Sequence, residues 1–243
     1  MLSHTGKKRT FKHNVMLAAL LSLTAGFVNV IGFSTFMVFT TNITGHVALM
    51  SEKIAVGDYS GAIMFAIWLI TFLCGAFISS LAVTIVGRTR RTAYTYPLLA
   101  EVILLALVMY ATPRSNNLTT QDIELLAGTL LFAMGMQNAM VSLISGSVVR
   151  TTHLTGMFTD LGIELSTLIT HKEHRKEVLK YKVNLRLVII FFFIFGGLVG
   201  GFLYKDMGVS TFWFPITTLI FVIVYDGMRY NTVVIWRKIK SFK

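Results

Sequence analysis

The feature that most constrains this chain is the spacing of its charges. Uncharged apolar runs of about 16 to 26 residues alternate with short clusters of Lys and Arg. Such runs match the ~20 residues a helix needs to cross a bilayer core of ~30 Å. Hydrocarbon admits only helices and closed barrels, because every backbone N–H and C=O there must be paired internally. Charged residues make up 14% of the chain, against roughly 25% in a soluble domain. A soluble enzyme, a secreted disulfide scaffold and a disordered chain are thereby excluded, and an all-α polytopic membrane protein is predicted.

Clear spans are predicted at about Asn14–Ser34, Gly61–Val86, Tyr96–Ala111, Ile123–Ser145, Leu187–Tyr204 and Thr211–Tyr225. Thr35–Val56 and Val148–Thr170 are weaker. Each holds a Thr/Gly-rich interruption, Thr40–Gly45 or Thr151–Gly156, and then only about 12–15 helix-compatible residues. That suits a half-helix or re-entrant segment better than a span. If both stretches return to their starting side, 19 of the 22 Lys and Arg residues fall on the cytoplasmic face and 3 outside. If both cross, Arg88, Arg90 and Arg91 fall outside. The positive-inside rule therefore favours six spans with both termini cytoplasmic over eight. The expected layout is a basic N-terminus (1–13), a first membrane repeat (14–112), an external loop (113–122), a second repeat (123–226) with a basic cytoplasmic insertion (171–186), and a basic tail (227–243).

The net charge of +11 gathers at the ends of the apolar runs. There it sets topology and meets anionic lipid head groups, so no nucleic-acid partner is expected. Lys7, Lys8, Arg9 and Lys12 ahead of Val15 mimic a signal peptide. The apolar part is about 20 residues, beyond the 7–15 of a signal sequence, and reads as the first span. A single cysteine, Cys74, permits no internal disulfide.

The two halves resemble each other. Ala25-Gly26-Phe27-Val28-Asn29 aligns with Met134-Gly135-Met136-Gln137-Asn138, and Thr41-x-x-Thr44-Gly45 with Thr152-x-x-Thr155-Gly156. Gly75-x-x-x-Ser79 aligns with Gly197-x-x-x-Gly201, and Tyr96-Pro97 with Phe214-Pro215. Three spans per half is an odd number, which makes the repeat inverted. Inverted repeats are an architecture of transporters, with a site near the midplane where paired broken helices meet. A packing scaffold that arose by duplication is the alternative.

Thr44 and Thr155 suit helix N-caps, and Gly45 and Gly156 permit close backbone approach. Two half-helix starts facing each other would favour an anion, a carboxylate or another electronegative group. Thr and Gly at helix contacts are the plainer reading. Asn29, Gln137 and Asn138 are mid-span amides that need partners, either helices or a ligand. These residues, with Thr41 and Thr152, form the expected substrate site. Asp160 and Glu164 lie four apart on one helix face and are the candidates for ion or proton coupling; Asp160 is preferred, because Glu164 lies nearer the cytoplasm. Glu101 reads as an interfacial or snorkelling acid, and Arg150 as a flanking charge. His46 and His153 read as packing residues, since no ligand spacing for a metal is present. Gly196-Gly197-x-x-Gly200-Gly201 reads as a close-packing surface for a helix or a second subunit in a homodimer. His171–Arg186 reads as a surface helix on anionic lipid.

The chain contains no HExxH, GxSxG or GxxxxGK[ST], so neither catalysis nor a cofactor is expected. Ala25-Gly26-x-x-Asn29-x-x-Gly32-Phe33, Thr44-Gly45-His46, Gly135-x-Gln137-Asn138-Ala139 and Thr152-x-x-Thr155-Gly156-x-x-x-Asp160-Leu161-Gly162 together resemble the YoaK-like family of bacterial membrane proteins. The resemblance covers roughly residues 14–226 and implies a bacterial plasma membrane, but no substrate. The family pattern has Asp in place of Asn29 and often Asn in place of His46. Where that Asp carries a proton or cation, the resemblance implies lost or altered coupling here. The expected function is a small-solute transporter or channel, with a non-transporting scaffold or a lipid- or protein-binding component as the alternative.

Overall fold

The computed structural model describes residues 11–88, 90, 92–113, 118–145, 151–170 and 176–226, with side chains from Val15 onward. Arg150, most of the basic N-terminus, the basic tail and residues 171–175 of the insertion lie outside the described residues. The elements are α1 (Phe11–Phe36), α2 (Ile43–Ala55), α3 (Tyr59–Val86), α4 (Thr92–Ala111), α5 (Thr120–Ser145), α6 (Leu154–Thr170) and α7 (Lys176–Met207). A 3-10 turn (Gly208–Phe212) follows, and then helix α8 (residues 213–226). Among the described residues there is no strand.

Five helical segments are long and apolar enough to cross a membrane: Val15–Phe36, Tyr59–Val86, Thr92–Ala111, Thr120–Ser145 and Lys176–Asp226. The last is 51 residues long and is broken at the 3-10 turn, where Gly208 takes φ +54°. Beyond that turn Phe214 stacks on Phe27 of α1, with ring centroids 5.9 Å apart. At 13 and 17 residues, α2 and α6 rise only about 20–25 Å, short of a ~30 Å bilayer core.

Interhelical contacts fix the directions of the helices. Leu23, Phe27 and Val30 of α1 meet Gly196, Gly200 and Gly201 of α7 in ascending order, so these helices run parallel. Trp68 and Phe72 of α3 meet Gly128 and Gly135 of α5 in the same way. In contrast, Leu130 of α5 lies beside Gly32, while Gln137 donates to the Leu21 carbonyl at 2.9 Å. Therefore α5 runs against α1, and α3 runs against α1 as well. The end of α1 and the start of α3 thus lie on one side of the bundle, and α2 is part of the stretch that joins them. The same reasoning holds for α6 between α5 and α7.

Four glycines set the closest approaches. An added Cβ at Gly26 or Gly196 would overlap the carbonyl oxygen of Phe193 or Leu23, and at Gly75 or Gly135 that of Phe132 or Phe72. Backbones this close exchange dispersion contacts that a side chain would prevent. The contacts also correct the sequence alignment by one residue: Gly75 and Ser79 match Gly196 and Gly200, not Gly197 and Gly201. The Gly196/Gly200 face is filled by α1 of the same chain. The insertion is also revised, because residues from Lys176 onward are the start of α7 rather than a separate surface helix. Val183 and Leu185 are already buried there.

Candidate functional site

The two interruptions meet at one cavity of about 650 Å³. From the first half it is lined by Asn29, Thr41 and Thr44, and from the second by Asn138, Thr152 and Thr155. Asn29 Oδ1 accepts hydrogen bonds from Thr41 Oγ1 at 2.9 Å and from Thr41 N at 3.2 Å. Asn138 Oδ1 accepts from Thr152 Oγ1 at 2.7 Å. In each half a mid-helix amide thus tethers the non-helical segment that precedes the half-helix. Phe72 and Phe193, whose carbonyls receive Gly135 and Gly26, complete the wall with Phe39. Among the described residues no Asp, Glu, Lys or Arg lines the cavity, and His153 is its one ionisable side chain.

The unwinding has a local cause. Met37 after α1 takes φ +57°, a left-handed residue that ends the helix. The chain then stays non-helical until Asn42, whose Oδ1 accepts from Gly45 N at 3.0 Å. Asn42 is therefore the N-cap of α2, and Thr44 lies one residue inside the helix. Helix α6 starts at Leu154, with the His153 carbonyl accepting from Met157 N at 3.0 Å, so Thr155 is not a cap either. Gly45 and Gly156 do not line the cavity. A Cβ on Gly45 would strike the Asn42 side chain, and one on Gly156 the His153 ring. Both glycines make room for the residue that starts the helix.

Gln137 is also apart from the cavity. It is fully buried and donates to the Leu21 carbonyl and to Thr151 Oγ1 at 3.2 Å, tying α5 to α1 and to the second interruption.

Asp160 and Glu164 lie outside the cavity as well, and Arg186 joins them. Its Nε meets Glu164 Oε2 at 2.7 Å and Nη1 meets Asp160 Oδ2 at 2.9 Å. Glu164 is the buried member, 9% exposed at the side chain, whereas Asp160 is 50% exposed, the reverse of the expected ranking. Arg186 was hidden in the basic insertion; two acids on one face of a half-helix were the signal that a cation was required. Its repeat equivalent is Phe65. There Phe65 and Trp68 pack on His46 at centroid distances of 5.7 and 5.6 Å, and His46 Nε2 lies 2.7 Å from the Phe39 carbonyl oxygen. One half-helix is thus held by rings and the other by ions. Glu101 is neither interfacial nor snorkelling: it is 1% exposed, inside the bundle.

With this geometry in view, the chain can be compared with known proteins. A family described as "Protein of unknown function (DUF1275)" matches residues 17–225. The chain belongs to this family. It is 29% identical over 212 residues to the UPF0700 transmembrane protein YoaK of Bacillus subtilis (strain 168), covering 86% of this chain and 91% of that protein. No solved structure matches the chain. The resemblance to YoaK-like proteins drawn from the short motifs is thus established over nearly the full length, and the chain is a membrane protein of that family with several apolar helices.

Proposed function

We propose that this protein is a small-solute transporter or channel of six spans, built as two inverted repeats, whose site is the cavity between the half-helices α2 and α6. The observation that carries the reading is the cavity's composition: repeat-equivalent residues of both interruptions line it, and each half presents the same Asn–Thr hydrogen bond to it. The antiparallel order of α1 and α3 and of α5 and α7 supports two re-entrant segments, and the distribution of Lys and Arg supports both termini on the cytoplasmic side. The first turns of α2 and α6 border the cavity, and the positive ends of their helix dipoles favour electronegative atoms. Amides, hydroxyls and three phenylalanine rings suit a small amphipathic solute with a carboxylate or carbonyl group.

Coupling through Asp160 and Glu164 would act by way of Arg186, since moving α6 from α7 breaks that cluster. Partners that go with this reading are anionic lipid head groups at the cytoplasmic basic clusters. A homodimer would use a face other than Gly196/Gly200. In the rival reading, a scaffold, the cavity is only a packing defect.

A thermal-shift screen of purified protein against small anions, carboxylates and amphipathic compounds at two pH values tests the site. Stabilisation by one class, abolished by Asn138→Leu, is expected. No stabilisation by any class, or equal stabilisation of the variant, sinks the proposal. Topology is tested by labelling Arg90→Cys in a Cys74-free background; reaction from outside the cell would revive eight spans.

A further inference from the structure

Glu101 stands apart from everything assigned so far. It lies nine residues into the 20-residue helix α4, about 13–15 Å from either end at 1.5 Å per residue. That is the centre of a span. It is 1% exposed, and neither carboxyl oxygen has a hydrogen-bond partner among the described residues. The other buried acids differ: Glu164 is held by Arg186, and Asp226 has interactions of its own.

Among the described residues the helices around it offer no cation. Helices α3 and α5 and the 3-10 turn pack on α4, and α8, which continues from that turn, carries Tyr225 and Asp226 as its titratable groups. Helix α3 carries Tyr59 and Cys74 as its titratable groups, α5 carries only Asp122 and Glu124 near its start, and the turn carries none. The tyrosines of α4 itself are Tyr94, Tyr96 and Tyr110. Arg90 precedes Glu101 by eleven residues, about 16 Å of helical rise. An ionised carboxylate without a partner in such a place costs so much that neutralisation is the normal outcome.

Packing does not require an acid here. Tyr94, Pro97, Leu98 and Glu101 of the first half correspond to Phe212, Pro215, Ile216 and Leu219 of the second, and all eight are buried. A leucine fills the equivalent place. A second polar group lies at matching depth on the adjacent antiparallel helix: Ser79 of α3 is fully buried with an unpartnered hydroxyl. It is seven residues from the end of α3, as Glu101 is nine from the start of α4, a difference of about 3 Å in rise.

We propose that Glu101 is a proton-binding site at the centre of the bundle, its carboxyl carrying the proton in this conformation. The site is separate from the solute cavity, whose lining does not include Glu101. The proton can leave only when the packing of α4 on α3 and α5 admits water, which links pH to conformation. Only the extension to coupled transport rests on the function proposed above.

Infrared spectroscopy of the purified full chain tests the site without any substrate. At about pH 7, where a free Glu is ionised, the wild type should show the carbonyl stretch of a protonated carboxyl, slow to shift in D₂O. Glu101→Gln should lack that band, and Glu101→Asp, the variant to use if the first does not fold, should move it. Identical spectra for wild type and variants overturn the proposal. A hydrophobic carbodiimide, which reacts with protonated carboxyls, should mark Glu101 in peptide mass spectra, with labelling falling as pH rises. Protection by Na⁺ at constant pH would overturn the proton assignment in favour of a metal cation. A missing band leaves the solute cavity untouched, and a failed ligand screen leaves the band untouched, so the two readings fail separately.

Discussion

Arg186 of α7 grips Glu164 of α6 through two hydrogen bonds, from Nε to Oε2 at 2.7 Å and from Nη2 to Oε1 at 3.0 Å. The fork geometry is that of a strong guanidinium–carboxylate pair, and Asp160 adds a third contact from the exposed side. Removing one partner of a buried pair leaves an uncompensated charge, at a cost of about 3–5 kcal/mol. Arg186→Met should therefore destabilise the protein by roughly 3 kcal/mol or more in detergent unfolding. Asp160→Asn, on a half-exposed acid, should cost under about 1 kcal/mol. Restoring charge balance with Arg186→Met and Glu164→Met together should recover most of the loss. Equal effects of the two single changes would show that Asp160, not Glu164, anchors α6.

The glycine contacts make a graded series. Gly26→Ala and Gly135→Ala place a methyl group onto a backbone carbonyl of the parallel helix, and backbone cannot step aside as a flexible side chain can. Each should cost about 1–3 kcal/mol, the range for overpacking, and lower the yield of folded protein. Gly201→Ala meets only Val30 Cγ1 at 3.5 Å, and Gly162 has nothing within 4 Å, so alanine at either should be tolerated. Thermal unfolding of the four variants checks the order. Tolerance at Gly26 and Gly135 would mean that these helices separate more easily than their contacts imply.

The sequence announced the helices because hydrocarbon demands long uncharged runs, and it announced the cavity because the same Thr/Gly interruption occurs twice. Asn29, Thr41, Thr44, Asn138, Thr152 and Thr155 are all found at the cavity wall. What stayed hidden depended on which way side chains face. Gln137, adjacent to Asn138, points to Leu21 instead of the cavity. A helix places neighbours about 100° apart, so adjacent amides cannot share a face. Asn42 was overlooked as the cap because threonine at both Thr44 and Thr155 made a repeat, whereas Asn42 corresponds to His153 and has no counterpart in type. Glu101 reads as an interfacial acid in the sequence, since burial by surrounding helices leaves no mark on a single span. The one-residue slip at Gly196 came from a run of paired glycines, either of which fits the spacing.

Asn29 and Asn138 should be separable by charge. Asn29 Oδ1 only accepts, so Asn29→Asp keeps both hydrogen bonds from Thr41 and adds a negative charge to a cavity whose described wall holds none. The variant should fold and shift ligand preference from anions toward cations, with a pH dependence of its own added to that of the wild type. Asn29→Leu removes the acceptor and leaves Thr41 N–H and Oγ1 unmatched, at about 1–3 kcal/mol. Thermal shift with matched anionic and cationic ligands reads both effects. An unchanged ligand profile in Asn29→Asp would take Asn29 out of the binding site.

At the start of α3, Asp58 gives the acid side of the stability profile a defined origin. Its Oδ1 accepts from Gly61 N at 3.0 Å, and Lys53 lies 3.1 Å from Oδ2. The Gly61 hydrogen bond first, and Lys53 second, hold the carboxyl below its ordinary value. A carboxylate depressed by folding contributes stability that is present above its unfolded pKa and is lost as pH falls through the folded one. The N-terminus of α3 should therefore stay capped at neutral pH and through the ordinary carboxylate range, and loosen only below it. Amide exchange at Gly61, corrected for the intrinsic effect of pH, should show protection falling only on that acid side. Asp58→Ala should lose the protection at every pH, and Asp58→Asn, which can still accept the bond, should keep it without the acid transition. An acid transition that persists in Asp58→Asn would assign it to another group.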